Sequence, residues 1–163
     1  MATTTFATIR DNYYTLIAAI TPTVRTTDGY VFRKPPRRSM LRDWALTVGT
    51  EAVFRKFEIS RSGSAADQLP HFDSDALQRR ERARVTVAYH TAVAFYGEDE
   101  IDEMDDVMRS DARQIRDVLF DTGNYVSGQN AAIVTILPPD RASRGVWFQE
   151  FDVDFIYNEA QSL

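Results

Sequence analysis

The chain has no cysteine. That excludes disulfides, thiolate metal sites and a cysteine nucleophile together, and it suits assembly in a reducing compartment. Lysine is nearly absent as well: Lys34 and Lys56 are the two, and the other seventeen of the nineteen cations are arginine. Interfaces favour arginine, because its planar fork makes paired hydrogen bonds and is weakly hydrated; the codon bias of a GC-rich genome gives the same preference. No apolar run approaches the roughly 20 residues that cross a bilayer. The first six residues lack the basic start and apolar stretch of a signal peptide, so none is expected. A net charge of −5 argues against non-specific nucleic-acid binding over the whole surface. The sequence contains no internal repeat, low-complexity tract or domain-splitting linker.

What is present fits one domain, residues 1–163. A chain of this size buries roughly 70% of the surface it exposes when unfolded, enough for a core without staples. The first element is a helix over about 5–20. Phe6, Ile9, Tyr13, Leu16, Ile17 and Ile20 recur at spacings of three and four, threonines precede it as caps, and Pro22 ends it. A short strand follows at 30–32, and then a proline-containing extended segment from Arg33. Ser39 is placed to cap a short turn carrying Met40, Leu41 and Trp44. A strand over 52–61 turns Val53, Arg55, Phe57 and Ile59 one way and Phe54, Lys56 and Glu58 the other.

Residues 62–82 are polar, without clear periodicity, and read as a long loop. The clearest strand spans 83–95, with bulky Val85, Val87 and Tyr89 on one face and small residues on the other. A small-residue face lets a helix lie close, which points to cover on both faces of the sheet. The strongest helix spans 100–120. Its buried stripe is Ile101, Met104, Met108, Ile115, Val118 and Leu119, with Asp111 and Ala112 near the same line. Strands over 131–137 and 146–157 close the chain, joined through a loop at 138–144 and Gly145. The order α-β-β-β-α-β-β implies an α+β fold: a mostly antiparallel or mixed sheet with two main helices packed on it and long extended loops.

Motifs for chemistry are scarce. There is no Gly-x-Ser-x-Gly elbow, Gly-rich phosphate loop or His-Glu-x-x-His pair, so no cofactor is expected. Of the two histidines, His71 falls in the polar stretch. His90, on the best strand, reads first as a buried structural histidine. The acids from Glu98 to Asp106 crowd a helix start, where the dipole favours them. Solvated helix start is the first reading of that cluster, protein docking the second and a metal site the last, since the EF-hand spacing with its central glycine is missing. Two basic groups stand out: Arg33, Lys34, Arg37, Arg38 and Arg42, then Arg79, Arg80, Arg82 and Arg84. They read as solvated loops or as docking surfaces for an acidic partner; aromatic interleaving for stacking on single strands is poor. With the acidic group Asp99, Glu100, Asp102 and Glu103, they form patches of opposite sign on one chain. A head-to-tail ring uses such an arrangement, because each subunit shows one patch to each neighbour.

In order and pattern, nearly the whole chain resembles the tail terminator proteins of tailed bacteriophages and related gene transfer particles. The likeness rests on Arg10, Leu16 and Ile17 ahead of Thr21-Pro22, and on Trp44. It continues through Phe54-Arg55-Lys56-Phe57, Val85-Thr86-Val87-Ala88-Tyr89-His90, the helix with Asp111, Ile115 and Leu119, and Phe151-Asp152-Val153-Asp154-Phe155. The resemblance implies a non-enzymatic virion protein assembled in the host cytoplasm. Its subunits would form a ring, commonly a hexamer, that caps the tail tube, ends tube polymerisation and meets the head connector. DNA would pass through the centre without specific binding. Three alternatives stand beside it: a neck or head-completion protein of similar size, a cytoplasmic adaptor, and, in a different class, a small hydrolase or metal-dependent enzyme using His90 and the acids of 98–106.

Overall fold

The computed structural model describes residues 4–24, 31–36, 44–47, 53–62, 67–69, 76–91, 100–143 and 145–160. Helix α1 is Phe6–Ala18; the Thr5 hydroxyl caps it by accepting from the Thr8 N–H at 3.2 Å. Its buried face is Phe6, Ile9, Tyr13 and Ile17, the stripe its spacing dictates. Helix α2 is Glu100–Phe120, and it buries Met104, Val107, Met108, Asp111, Ala112, Ile115 and Leu119. Val107 is buried where the spacing suggests Val118, which is only partly covered. A 3₁₀ turn at Thr122–Asn124, capped by Asp121, ends this helical segment.

The fold is α+β. Strands β1 (Phe32–Arg33), β2 (Arg55–Arg61), β4 (Ala76–His90), β7 (Val146–Ala160) and β5 (Gln129–Ile136) form the main path of one mixed sheet, in the order β1-β2-β4-β7-β5. β1 runs parallel to β2, and every other pairing is antiparallel. β3 (Asp67–Leu69) and β6 (Asp140–Ser143) are short additions to the expected order and pair with β4 and β7. β4 and β7 pair along their full lengths, from Ala76↔Ala160 to His90↔Val146. Each is flanked by a broken companion: β2 then β3 along β4, and β5 then β6 along β7. Pro138-Pro139 makes the second break, because proline has no N–H to give a ladder.

Two segments read as loops therefore contain strand. Residues 67–69 and 76–82 belong to β3 and β4, and 140–143 form β6. The strand expected at 83–95 starts earlier, at Ala76, and is described as far as His90; residues 92–95 lie outside the described residues. Arg33, expected in a loop, ends β1.

The register separates the two faces. Arg55, Phe57 and Ile59 stand opposite Tyr89, Val87 and Val85, which stand opposite Trp147, Gln149 and Phe151. This face carries both helices; Tyr13 stacks on Phe155 with ring centroids 5.3 Å apart. The helices thus sit on the bulky face of β4. The small face is covered at one end by a turn at residues 44–46 instead, where Ala45 packs on Ala88 and Val146.

Candidate interaction surface

Beyond that turn, the sheet face opposite the two helices carries a row of arginines on β4 beside a row of acids on β7. Arg82 stands directly opposite Asp154, Arg84 opposite Asp152, and Thr86 opposite Glu150. Arg80 grips Asp154 with Nη2 and Nε at 2.5 and 3.1 Å, and Arg82 Nε reaches the same carboxylate at 2.9 Å. Arg84 donates to Asp152 at 2.9 Å and pairs with Glu150 at 3.3 Å. Thr86 donates to Glu150. Opposite charges across neighbouring strands are the favourable arrangement on a sheet face. Burial alone would raise the Asp154 carboxyl, but hydrogen bonds from Arg82 and Arg80 outweigh it and hold it below the usual carboxylate range. The arginine side chains keep 38 to 58% of their exposure, so the ladder is polar, wet and charge-matched within the chain.

The second basic group is thus a strand rather than a loop. Arg79, on the opposite face, pairs with Glu159. Of the first group, Arg33 and Lys34 are exposed, and Arg37, Arg38 and Arg42 lie outside the described residues. Asp99 also lies outside them. Glu100 and Asp102 open α2, and Glu103 is half-buried there. Arg79, Arg80 and Arg82 have carboxylates within the chain, at Glu159 and Asp154.

The turn bearing Trp44 is held by side chains of the same sheet face. His90 donates through Nε2 to the Ala45 carbonyl at 2.9 Å. Lys56 donates to the Thr47 carbonyl at 3.0 Å and lies 5.0 Å from the Trp44 ring centroid. Glu58 accepts from the Ala45 N–H at 3.3 Å. Burial lowers the His90 pKa, the Ala45 hydrogen bond opposes this, and Lys56 lowers it further. His90 and α2 lie on opposite sides of the sheet, since the neighbouring Tyr89 turns its hydroxyl toward Asp111 of α2 while His90 faces the turn. Among the described residues no group of three or more histidines and carboxylates could hold a metal ion.

One buried polar group escaped the sequence as a unit. Arg55 of β2 donates to Asp111 of α2 at 2.5 and 3.3 Å and to the Val24 carbonyl at 2.7 Å, with both charged side chains fully buried. The guanidinium carbon lies 4.9 Å from the Phe54 ring centroid and 5.6 Å from that of Phe32. The Tyr89 hydroxyl is buried beside the same carboxylate, outside good hydrogen-bond geometry. Burial pushes the Asp111 carboxyl up, and Arg55 pulls it back. With its forks satisfied and no solvent access, the pair fixes helix to sheet. The signal was an arginine on the apolar side of a strand and an aspartate on a helix stripe.

The fold and surface define an α+β domain with one helix-covered sheet face and one charge-laddered face. No protein-family model matches the chain, and no curated protein matches it in sequence.

Proposed function

We propose that this chain is a structural attachment module: a ring-forming subunit that caps the tail tube of a tailed bacteriophage or related gene transfer particle, ends tube polymerisation and meets the head connector. One observation carries the reading. The charged groups of the sheet face opposite the helices are spread along the β4–β7 ladder and matched to one another, with the arginines part-exposed, so they offer a stiff, polar surface for a large partner. A converging set of groups, which a reaction needs, is a different arrangement. The resemblance in element order supplies the ring and the tube. Exposed Arg33 and Lys34, with Arg37, Arg38 and Arg42 following in sequence, supply the cationic segment for an acidic neighbour.

Native mass spectrometry and electron microscopy of the purified protein, alone and with tail tubes, test this. The expected result is a ring of about six subunits seated on tube ends. Monomers alone, with and without tubes, would remove the reading.

A further inference from the structure

We propose that the outer edge of β5 is a self-association strand, where two copies of this chain pair antiparallel about a two-fold axis at Thr135. Strand β5 lies at the end of the sheet, and from Gln129 to Leu137 it carries no charge. Ile133 and Ile136 keep 46% and 40% of their exposure there, and Thr135 is exposed beside them. Natural edges of this kind are usually blunted by charge, proline or a bulge. Here a register shift between Gln129 and Ala131 and the pair Pro138-Pro139 bound the strand but leave its middle untouched.

The hydrogen-bond alternation identifies the open groups. Leu137 donates its N–H inward to Glu150 at 2.9 Å. In an antiparallel ladder inward and outward residues alternate, so Ala132, Val134 and Ile136 turn their backbone groups outward. The Tyr125 hydroxyl accepts from the Ala132 N–H at 3.0 Å, which agrees with that phase and closes the position. Among the described residues, Val134 and Ile136 have no partner on that side. The sheet's other end is treated differently. β1 pairs with β2 at Arg55 and Lys56, and the Tyr14 hydroxyl accepts from the Ile59 N–H at 2.8 Å. A head-to-tail sheet extension needs two open edges, and among the described residues β2 does not supply the second. The same edge on a second copy does, in a self-complementary two-fold contact.

The same alternation fixes the register. An axis at Val134 pairs Ile136 with the blocked Ala132, and one at Ile136 pairs Val134 with Pro138, which has no N–H. An axis at Thr135 lets Val134 of one copy and Ile136 of the other exchange both N–H···O bonds. It also sets Ile133 against the second copy's Leu137 and Ile136 against its Val134, which covers both exposed isoleucines. A two-fold contact closes on itself, so this inference does not rest on the ring reading.

The absence of native cysteine makes the test direct. In this register the two Thr135 residues form a non-hydrogen-bonded pair with Cα atoms about 4.5 Å apart, inside the disulfide range. Under mild oxidation, Thr135→Cys should give a disulfide-linked dimer far faster than Ile133→Cys or the exposed β2 control Ser60→Cys. Adding Val134→Pro, which deletes an outward N–H and spares the ladder to β7, should slow that cross-linking about tenfold or more. If that proline unfolds the chain by circular dichroism, Ile136→Lys replaces it with the same expected loss. Cross-linking of Thr135→Cys no faster than that of Ser60→Cys, or equal cross-linking of Ile133→Cys, overturns the proposal even if rings are seen. Capped tubes without the Thr135 cross-link would leave the ring reading standing alone.

Discussion

At the scale of single residues, the structure depends most on charges that are matched. Arg55 and Asp111 are fully buried together, so removing either strands the other. Asp111→Ala should destabilise the domain by about 3–5 kcal/mol, whereas the double change Arg55→Met with Asp111→Leu should cost much less, because an apolar pair leaves no orphan charge. Urea unfolding of wild type and the two variants checks the difference. Asp154 behaves in the opposite regime, at the edge of solvent. Its carboxyl is held below its ordinary value in the fold by Arg82 and Arg80 against the opposing effect of burial. Its contribution is therefore present above the unfolded carboxylate pKa, about 4, and is lost as pH falls through the lower folded value. The urea midpoint should drop on acidification below about pH 4, and Asp154→Asn should show less of that drop; an unchanged profile would mean the ladder adds no stability. The buried pair was legible only in part. Arg55 shares a strand face with Phe57 and Ile59, and Asp111 lies on the apolar line of α2, yet no local rule says that two such exceptions meet. The charge run Arg79-Arg80-Glu81-Arg82 read as a loop because its neutralising acids stand some seventy positions later on β7.

At the scale of elements, periodicity was enough wherever one face is apolar. Both helices and the centres of β2, β4 and β7 lie where the 3.6 repeat or alternation puts them, and β5 lies on a continuous apolar run. It failed at β3, at the start of β4 and at β6, where pairing comes from a long neighbour strand instead of a local apolar pattern. It also misjudged what covers the small face of β4, where Ala88 accommodates a turn rather than a helix. That turn is a separable piece, and its hold is testable. His90→Phe keeps the volume but removes the donor to the Ala45 carbonyl, at an expected cost of about 1–3 kcal/mol. In a Trp147→Phe background Trp44 is the sole indole, and its emission should shift to the red as the turn loosens. The pH dependence has a definite sign. The fold favours the neutral ring, since burial lowers the His90 pKa and Lys56 adds to it against the Ala45 bond. The stability that the neutral ring contributes is then complete above the ordinary histidine value, about 6.5, and is lost as pH falls through the folded one. The urea midpoint should follow that loss in the protein that keeps His90 and change less in the His90→Phe variant.

At the scale of the whole molecule, the proposed attachment segment and the core occupy different places. The core joins α1 and α2 to one sheet face, so changes on the exposed β1 segment touch little of it. Arg33→Glu with Lys34→Glu should therefore leave the unfolding free energy within about 0.5 kcal/mol of wild type, as surface substitutions usually do. If the segment from residue 33 docks on an acidic neighbour, the same double change places like charges in the contact and should weaken ring formation and tube capping. That loss should be steeper at low salt, where repulsion is least screened. Arg82→Gln, on the sheet ladder, gives the complementary expectation. Its guanidinium is already engaged with Asp154, so the change should lower stability slightly, and where the ladder meets a partner it should weaken assembly by more than that stability change predicts. Sedimentation at two ionic strengths separates the two cases. If the charge-reversed double variant assembled as well as wild type at both ionic strengths, the docking surface would move away from this segment and onto the laddered face.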